Sequence, residues 1–389
     1  MKKIFLKKKK DAPLRRFHPW VFSGAVRRME GKPSDGEIVS VHDAEGNFLA
    51  MGHYQNGSIC VRVFSFKQEE DRARFWVDKL SNAFQFRRQL LLNNTNCYRL
   101  IHAEGDGLPG LIIDIYHKTA VIQCHSIGMH LERKAIANAL LQIKGLELNT
   151  IYDKSTETLP SNYAASVEKQ ALYGEAKSGF VVENGHQFLV NWQEGQKTGF
   201  FLDQRDNRQL LSYYAEGKKV LNTFCYTGGF SVYALTAGAS AVHSVDISQK
   251  AIDLCVENVQ LNNPSEHKHE AHAQDVLKFL KENTDQYDLM VVDPPAFAKS
   301  LKKRHNAVQA YKRLNALAFK HIRKGGILFT FSCSQVVDQK LFYNTIVAAA
   351  IETGRQVRVM RHLTQAPDHP VSLFHPEGAY LKGLVLYVE

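Results

Sequence analysis

Asn222 to Asp246 reads NTFCYTGGFSVYALTAGASAVHSVD, and the fold turns on this stretch. Val220 and Leu221 lead into a turn at Gly228-Gly229, FSVYALTAG has a helical pattern, and AVHSVD is a strand that ends on an acid. Strand, glycine turn, helix and second strand in so short a span make a crossover unit. The alternation continues outward. SQKAIDLCVENVQLN is a helix with Ser248 as N-cap and Ile252, Cys255, Val256 and Val259 along it. EAHAQ, YDLMVVD and GILFTFS are further strands, and GAYLKGLVLYVE holds a last one. Continuous apolar runs such as Leu289 to Val292 suit a parallel sheet covered on both faces. From about residue 215 the chain is expected to be a doubly wound α/β domain, with its chemistry at the carboxyl ends of the strands.

Upstream the pattern differs. Residues 1 to about 66 are β-rich: DGEIVSVHDAEGNFLAMGHY and SICVRVFSF alternate apolar and polar residues, with Asp35-Gly36 and Glu45-Gly46 as turns. A unit of that size is small for an independent core. Residues 70 to 93 turn helical, with Phe75, Leu80, Phe84 and Leu90 at helical spacing. EGDGLPGLIIDIYHKTAVIQCH then predicts a loop and two strands, and Leu131 to Ile143 a helix, in a mixed α+β stretch running to about 190.

The 389 residues call for more than one domain. A hydrophobic share of 44% and a charged share of 23% are those of a globular protein. Net charge is +10, and residues 1 to 32 alone hold eleven Lys or Arg against two acids. Charge concentrated in this way points to a polyanionic partner. Arg15, Arg16, His18, Trp20 and Arg27 interleave cations and aromatics, as RNA binding requires. The plain alternatives are a solvated tail for Lys7 to Lys10 and core packing for Trp20 and Phe22, at least one of which is expected in the core. The start MKKIFLKKKKD lacks the apolar stretch of a signal peptide, and no apolar run approaches the ~18 residues of a membrane span. The six cysteines stand singly, which argues against disulfides and metal and for a reducing cytoplasm.

At the first crossover, a dinucleotide would need three spaced glycines to seat its pyrophosphate on the helix N-terminus. Only Gly228 and Gly229 are present, while Asp246 stands 24 residues after Asn222, where a carboxylate accepts from ribose hydroxyls. Asp275, after the third strand, could accept from an adenine amino group. A ligand with adenosine, no phosphates and a cationic centre fits, and S-adenosylmethionine is such a ligand. The alternative is that Asp246 and Asp275 only cap helices.

Two more strand tips carry chemistry. Asp293 ends YDLMVVD, and Pro294 and Pro295 stiffen the exit, with Phe297 placed to stack on a base; the plain alternative is a buried aromatic. Cys333 follows GILFTFS. Most free cysteines are small buried hydrophobes, and Cys60, Cys124 and Cys255 are assigned to that group. Cys333 differs by its place at the carboxyl edge beside Asp293. A thiolate added to C6 of a pyrimidine makes C5 able to attack a methyl sulfonium, with Asp293 on the cytosine N3/N4 edge. Lys302, Lys303 and Arg304, in KSLKKRH after the DPPAF loop, could hold phosphates.

These residues carry a resemblance. RRFHPWVFSGAV, EGDGLPGLIIDIY, GQKTGFFLDQRDNR, NTFCYTGGFS, SVDISQKAIDLCVENVQLN, VVDPPAF, TFSCS and DHPVSLFHPEGAYLKG together resemble, in order and over nearly the whole chain, the bacterial 23S ribosomal RNA cytosine-C5 methyltransferases that carry a PUA domain. The resemblance implies a PUA-like domain at 1–70, a middle α+β domain at 71–190 and a class I S-adenosylmethionine methyltransferase domain at 191–389. It implies Cys333 as nucleophile and Asp293 at the base. It implies a cofactor site of Phe201, Gln204, Arg205, Asn222, Phe224, Tyr226, Gly228, Asp246, Ile247, Asp275, Asp293 and Pro294, with Arg205 suited to the methionine carboxylate. Asp203 could instead cap the following helix. Many RNA cytosine methyltransferases carry a second cysteine after the Asp-Pro pair; here Pro295 or Ala296 stands there, and the family resembled lacks it too, so another base must take the C5 proton. The competing readings are an amino methyltransferase acting on adenine N6 or guanine N2, and a non-catalytic RNA-binding assembly factor. A homodimer is left open.

Overall fold

The computed structural model describes residues 1–389 except 91, 169, 176–178, 263–267 and 299. Lys299 of the KSLKKRH stretch thus lies outside the described residues. The chain divides into two compact units: 1–182 with 190–202 and 367–378, and 183–189 with 203–366 and 379–389.

In the first unit, β1 (Lys2–Leu6), α1 (Ala12–Arg15), β2 (Trp20–Phe22), β3 (Val26–Glu30), β4 (Ile38–His42), β5 (Phe48–Tyr54) and β6 (Ile59–Ser65) come first. The strands form one sheet in the order β2-β6-β5-β4-β1-β3. Ile4, Phe5 and Leu6 are buried, and the lysines that follow are held, since the Lys7 amide donates to the Ala25 carbonyl at 2.8 Å. Neither Trp20 nor Phe22 is in the core, contrary to expectation. Strand alternation turns Val21 inward and leaves Trp20 half-buried and Phe22 47% exposed.

Next come α2 (Arg72–Gln89), β7 (Cys97–His102), β8 (Leu111–Tyr116), β9 (Thr119–Cys124), α3 (Ile127–Leu131), α4 (Arg133–Leu140), β10 (Thr150–Asp153), α5 (Ser161–Ala164) and β11 (Gln170–Tyr173), with a second sheet in the order β11-β10-β9-β8-β7. Phe75, Leu80 and Phe84 of α2 face its core, while Leu90 is the C-cap residue. The helix expected from 131 to 143 is instead two helices meeting at Glu132, whose carboxylate accepts from Trp76 Nε1 at 2.9 Å and pairs with Arg72 at 3.0 Å.

His53 of β5 is 2% exposed, and neither ring nitrogen has a hydrogen-bond partner among the described residues. Burial, with Arg72 and Arg62 adding, pushes its pKa down to about 3. The unfolded chain, with an ordinary histidine near 6.5, binds this proton more readily. Stability is therefore complete above pH 6.5 and falls as pH drops from there toward 3, by up to ~1.4 kcal/mol per pH unit. The melting temperature is expected to fall less steeply between pH 6.5 and 4.5 in His53→Leu than in the unaltered chain; equal slopes would exclude His53 as the cause.

β12 (Gly179–Glu183) and β13 (His186–Val190) form a two-stranded ribbon. The second unit holds α6 (Arg205–Ser212), β14 (Lys219–Thr223), α7 (Gly229–Thr236), β15 (Ala241–Asp246), α8 (Gln249–Leu261), β16 (His269–Ala273), α9 (Val276–Glu282), β17 (Tyr287–Val292), α10 (Arg304–His321), β18 (Ile322–Ser332), α11 (Gln339–Thr353), β19 (Val357–Leu363) and β20 (Lys382–Val388). Its sheet has the order β16-β15-β14-β17-β18-β20-β19. The first five are parallel, and β20 runs antiparallel between β18 and β19. The apolar runs read as strands pack here: Leu289, Met290, Val291 and Val292 are all fully buried. After β14 the chain builds outward through β15 and β16, then returns to place β17 on β14's other side. That reversal makes the gap beyond β14 and β17 the switch point where open α/β sheets bind ligands.

Candidate active site at the switch point

The turn after β14 is strained. Phe224 and Tyr226 have φ of 55° and 47°, and Gly228 has φ of 80°. Two non-glycine residues in the left-handed region within one turn persist only where their surroundings over-determine them, as at ligand sites. Here the Cys225 amide donates to the Val245 carbonyl and the Tyr226 amide to Asp246 Oδ2, each at 3.0 Å. A β-carbon on Gly228 would lie 2.5 Å from Cys255 Sγ. Glycine is thus needed for close approach to α8 as well as for its φ. Phe224 and Tyr226 are half-buried.

Asp246 is no helix cap. Its other oxygen accepts from the Ser248 amide at 3.0 Å, and Ser248 is the residue that caps α8, accepting from Ala251 at 3.3 Å. The carboxylate is half-exposed at the tip of β15, held by two backbone donors, and Ile247 beside it is 73% exposed. Asp275 caps α9 through Oδ1, which accepts from the Lys278 amide at 2.9 Å. Asn222 must be moved from the ligand-facing set. It is 1% exposed, and its amide donates to Ser231 Oγ at 2.8 Å, which lies 2.7 Å from Ser244 Oγ. It braces the turn from beneath.

At the start of α6, Gln204 Nε2 donates to Asp293 Oδ2 at 2.9 Å, and Asn207 Nδ2 donates to Gln204 Oε1 at 2.6 Å. Asp203 does not cap α6; it accepts from the Tyr380 hydroxyl at 2.6 Å. Arg205 is 1% exposed, with Nε 3.7 Å from Glu183. Arg208, one turn on, forks onto the same carboxylate at 2.8 and 2.7 Å. Two guanidiniums thus meet at one buried carboxylate. Phe201 belongs to the first unit, where the Lys197 ammonium lies 4.4 Å over its ring.

Asp293 follows β17 directly and is half-exposed, and Pro294 behind it is buried. β18 lies beside β17, with Val292 opposite Thr330, so the residues after both strands meet at one edge. Of the six cysteines, five are buried. Cys333 is half-exposed, flanked by fully buried Ser332 and Ser334, with Sγ 4.0 Å from the Pro294 carbonyl oxygen. Phe297 does not stand free for a base: its ring packs on Tyr311, centroids 4.7 Å apart, at the margin of the core. Lys302, Lys303 and Arg304 are exposed at the start of α10.

The basic N-terminal set is largely engaged within the first unit. Arg15 pairs with Asp11 and Asp43. Trp20 donates from Nε1 to Glu104 at 2.8 Å and packs on His375 at 4.4 Å, and His18 accepts from the Trp20 amide and lies 3.8 Å from Glu377. Glu104, Asp43 and Glu377, all distant in the chain, meet side chains that look free in the sequence. Arg16 remains exposed.

The sequence reading missed Glu183, Asn207 and Arg208. Only the spacing of Arg205 and Arg208, which puts both on one face of a helix, hinted at a shared partner.

A doubly wound sheet with a strained turn after β14, an acid at the tip of the neighbouring strand and its switch point beside them is the arrangement of a class I S-adenosylmethionine-dependent methyltransferase. Comparison with known proteins agrees. The family model described as S-adenosylmethionine-dependent methyltransferase matches residues 124–375, and that of the PUA-like domain matches residues 4–66. Ribosomal RNA large subunit methyltransferase I of Aeromonas hydrophila is 41% identical, with 98% of each chain covered. The protein of that name from Escherichia coli (strain SMS-3-5) is 40% identical over 99% of each. A solved Streptococcus mutans chain assigned as a SAM-dependent methyltransferase superposes with a TM-score of 0.85 over the full length of both at 22% identity, a likeness of fold. The chain belongs to the ribosomal RNA large subunit methyltransferase I family of S-adenosylmethionine-dependent methyltransferases. No helix among the described residues is long and apolar enough to cross a membrane.

Proposed function

We propose that this methyltransferase forms 5-methylcytosine in large-subunit ribosomal RNA through a covalent bond from Cys333 to C6 of the base. The observation that carries the reading is the place of the one cysteine that is not buried, beyond β18 and against the Asp293-Pro294 loop. The relatives' name supplies the RNA class.

Cytosine C5 is a weak nucleophile. Addition of the Cys333 thiolate to C6 moves an electron pair toward C5 while Asp293, on the N3/N4 edge, supplies a proton to N3. When bound, S-adenosylmethionine supplies the electrophilic methyl that C5 takes up. A base then removes the C5 proton, the returning electron pair expels the sulfur, and N3 gives its proton back to Asp293. Asp246 would accept from the ribose hydroxyls, and the second oxygen of Asp275 from the adenine amine. The Glu183–Arg205–Arg208 group would face the methionine carboxylate, with Phe224, Tyr226, Gly228, Ile247 and Pro294 as walls and Gln204 at the methionine end. Three cations at the start of α10 oppose the helix dipole. RNA phosphates on Lys302, Lys303 and Arg304 would relieve that, with Arg16 a second contact. We read the chain as a PUA-like part at 1–70, a middle part at 71–190 and a catalytic part at 191–389, working in the cytoplasm.

The test is to incubate the protein with S-adenosylmethionine and ribosomal RNA from a strain lacking its gene, then digest and identify the nucleosides by mass spectrometry. 5-Methylcytosine is expected. N6-methyladenosine or N2-methylguanosine in its place would establish the amino methyltransferase reading.

A further inference from the structure

Lys382 has no part in the function read so far. It is the first residue of β20, opposite Ser332 of β18, and only 9% exposed. Two tight contacts press the strand end inward. A β-carbon on Gly383 would meet the Phe331 ring at 2.6 Å and Leu363 at 3.0 Å. Lys382 Nζ consequently lies under the turn after β18 and donates to the Ser334 carbonyl at 2.8 Å. That carbonyl belongs to the residue directly after Cys333. Among the described residues the ammonium has one hydrogen-bond acceptor, a neutral one; a charge buried in that way is costly, and an amide or methionine would fill the place at less cost. A charge kept there suggests a negative counterpart nearby.

From these positions we propose that the Lys382 ammonium holds the Cys333 sulfur as its thiolate, so that Lys382 is a positioning and activating residue for the nucleophile. The proposal rests on the reading of Cys333 as nucleophile. The balance is simple: the thiol proton leaves to solvent, the sulfur keeps the electron pair, and the ammonium keeps its three hydrogens.

The electrostatics agree in direction. Burial lowers the Lys382 pKa to about 8, while ionised Cys333 and Asp338 act on it in the opposite sense. Attraction of this kind is mutual: if a thiolate favours the ammonium, the ammonium favours the thiolate equally. The other titratable groups around the thiol do not replace it. Tyr311 of α10, its hydroxyl 3.1 Å from Ser334 Oγ, has its pKa raised by burial and stays neutral. Asp338 caps α11 through the Leu341 amide at 2.8 Å, and Asp293 accepts from Gln204. Neither is a cation, so neither can hold a thiolate. Lys382 is the cation of the set, and it carries its charge below about pH 8.

The experiment needs neither RNA nor methyl transfer, so its failure is distinct from failure of the 5-methylcytosine reading. The rate of iodoacetamide alkylation at residue 333 is followed against pH by peptide mass spectrometry, the other five cysteines being buried. The unaltered chain is expected to react with a midpoint below the ~8.5 of a free thiol. Lys382→Met is expected to raise the midpoint by about one pH unit or more, and Lys382→Arg to restore it. Should Lys382→Met fail to fold, Lys382→Gln keeps a donor for the Ser334 carbonyl without the charge and carries the same test. A midpoint at 8.5 or above in the unaltered chain overturns the proposal without any variant. So does a folded Met or Gln variant whose midpoint has not moved, since a lysine that merely clamps the turn would change the melting temperature alone.

Discussion

Cys333→Ala is expected to abolish methylation, with a loss of about 10³-fold or more, as removal of a covalent nucleophile does elsewhere. S-adenosylmethionine affinity should stay within about twofold, because the groups proposed to hold the cofactor lie on other elements. Stability should also change little, since the side chain is small and half-exposed. The effect is therefore diagnostic of chemistry rather than folding. Calorimetry with the cofactor and a timed methylation assay read the two separately. If the alanine variant methylates RNA at an undiminished rate, the covalent route is wrong. The Asp-Pro-Pro loop must then serve an exocyclic amine, which needs no thiol.

Asp293→Ala should have the next largest effect, a fall in kcat of about 10²- to 10³-fold with little change in KM. The carboxylate is held from behind by Gln204, which is itself held by Asn207. It is therefore presented in one orientation rather than left to swing, and this pre-organisation makes a group on the base edge effective. Asp293→Asn keeps an acceptor for Gln204 and a hydrogen-bond donor for the base, but it cannot deliver a proton. It is expected to fall between the unaltered chain and alanine. Steady-state kinetics on ribosomal RNA decide it: an Asn variant at full kcat would reduce Asp293 to a hydrogen-bonding role. A rise in KM alone in the alanine variant would place the residue in binding.

The two outcomes together separate three descriptions of the same sheet edge. Loss in both variants supports covalent attack with proton delivery. Loss in Asp293→Ala alone supports amine methylation. Retained rates in both would put the chemistry at some other edge, since Asp293 and Cys333 follow the neighbouring strands β17 and β18.

The sheet was legible because it depends on local pattern. Continuous apolar runs between glycine turns can be satisfied only by strands buried on both faces, and Leu289 to Val292 are buried as that requires. The position of Asp246 at the end of β15 was legible because a crossover of ordinary length brings the chain to the next strand's tip there. Its neighbour in the argument, Asp275, shows the limit. The same residue type after the next strand is a helix cap, and what separates the two is whether a serine stands two residues later to take over the capping, as Ser248 does. Trp20 and Arg15 misled for another reason. Their partners, Glu104 for one and Asp43 for the other, lie across loops whose path the sequence does not state.

By itself, the sequence determined the element types, the order of chemistry-bearing strand tips and the absence of a phosphate cradle, because backbone periodicity and glycine placement act over a few residues. Tertiary structure alone decided which charges are matched. Glu183 meets both Arg205 and Arg208, Gln204 steadies Asp293, and Lys382 reaches the Ser334 carbonyl because β20 inserts antiparallel beside β18. Electrostatic interactions depend on distance and burial, which arise when segments far apart in the chain pack together.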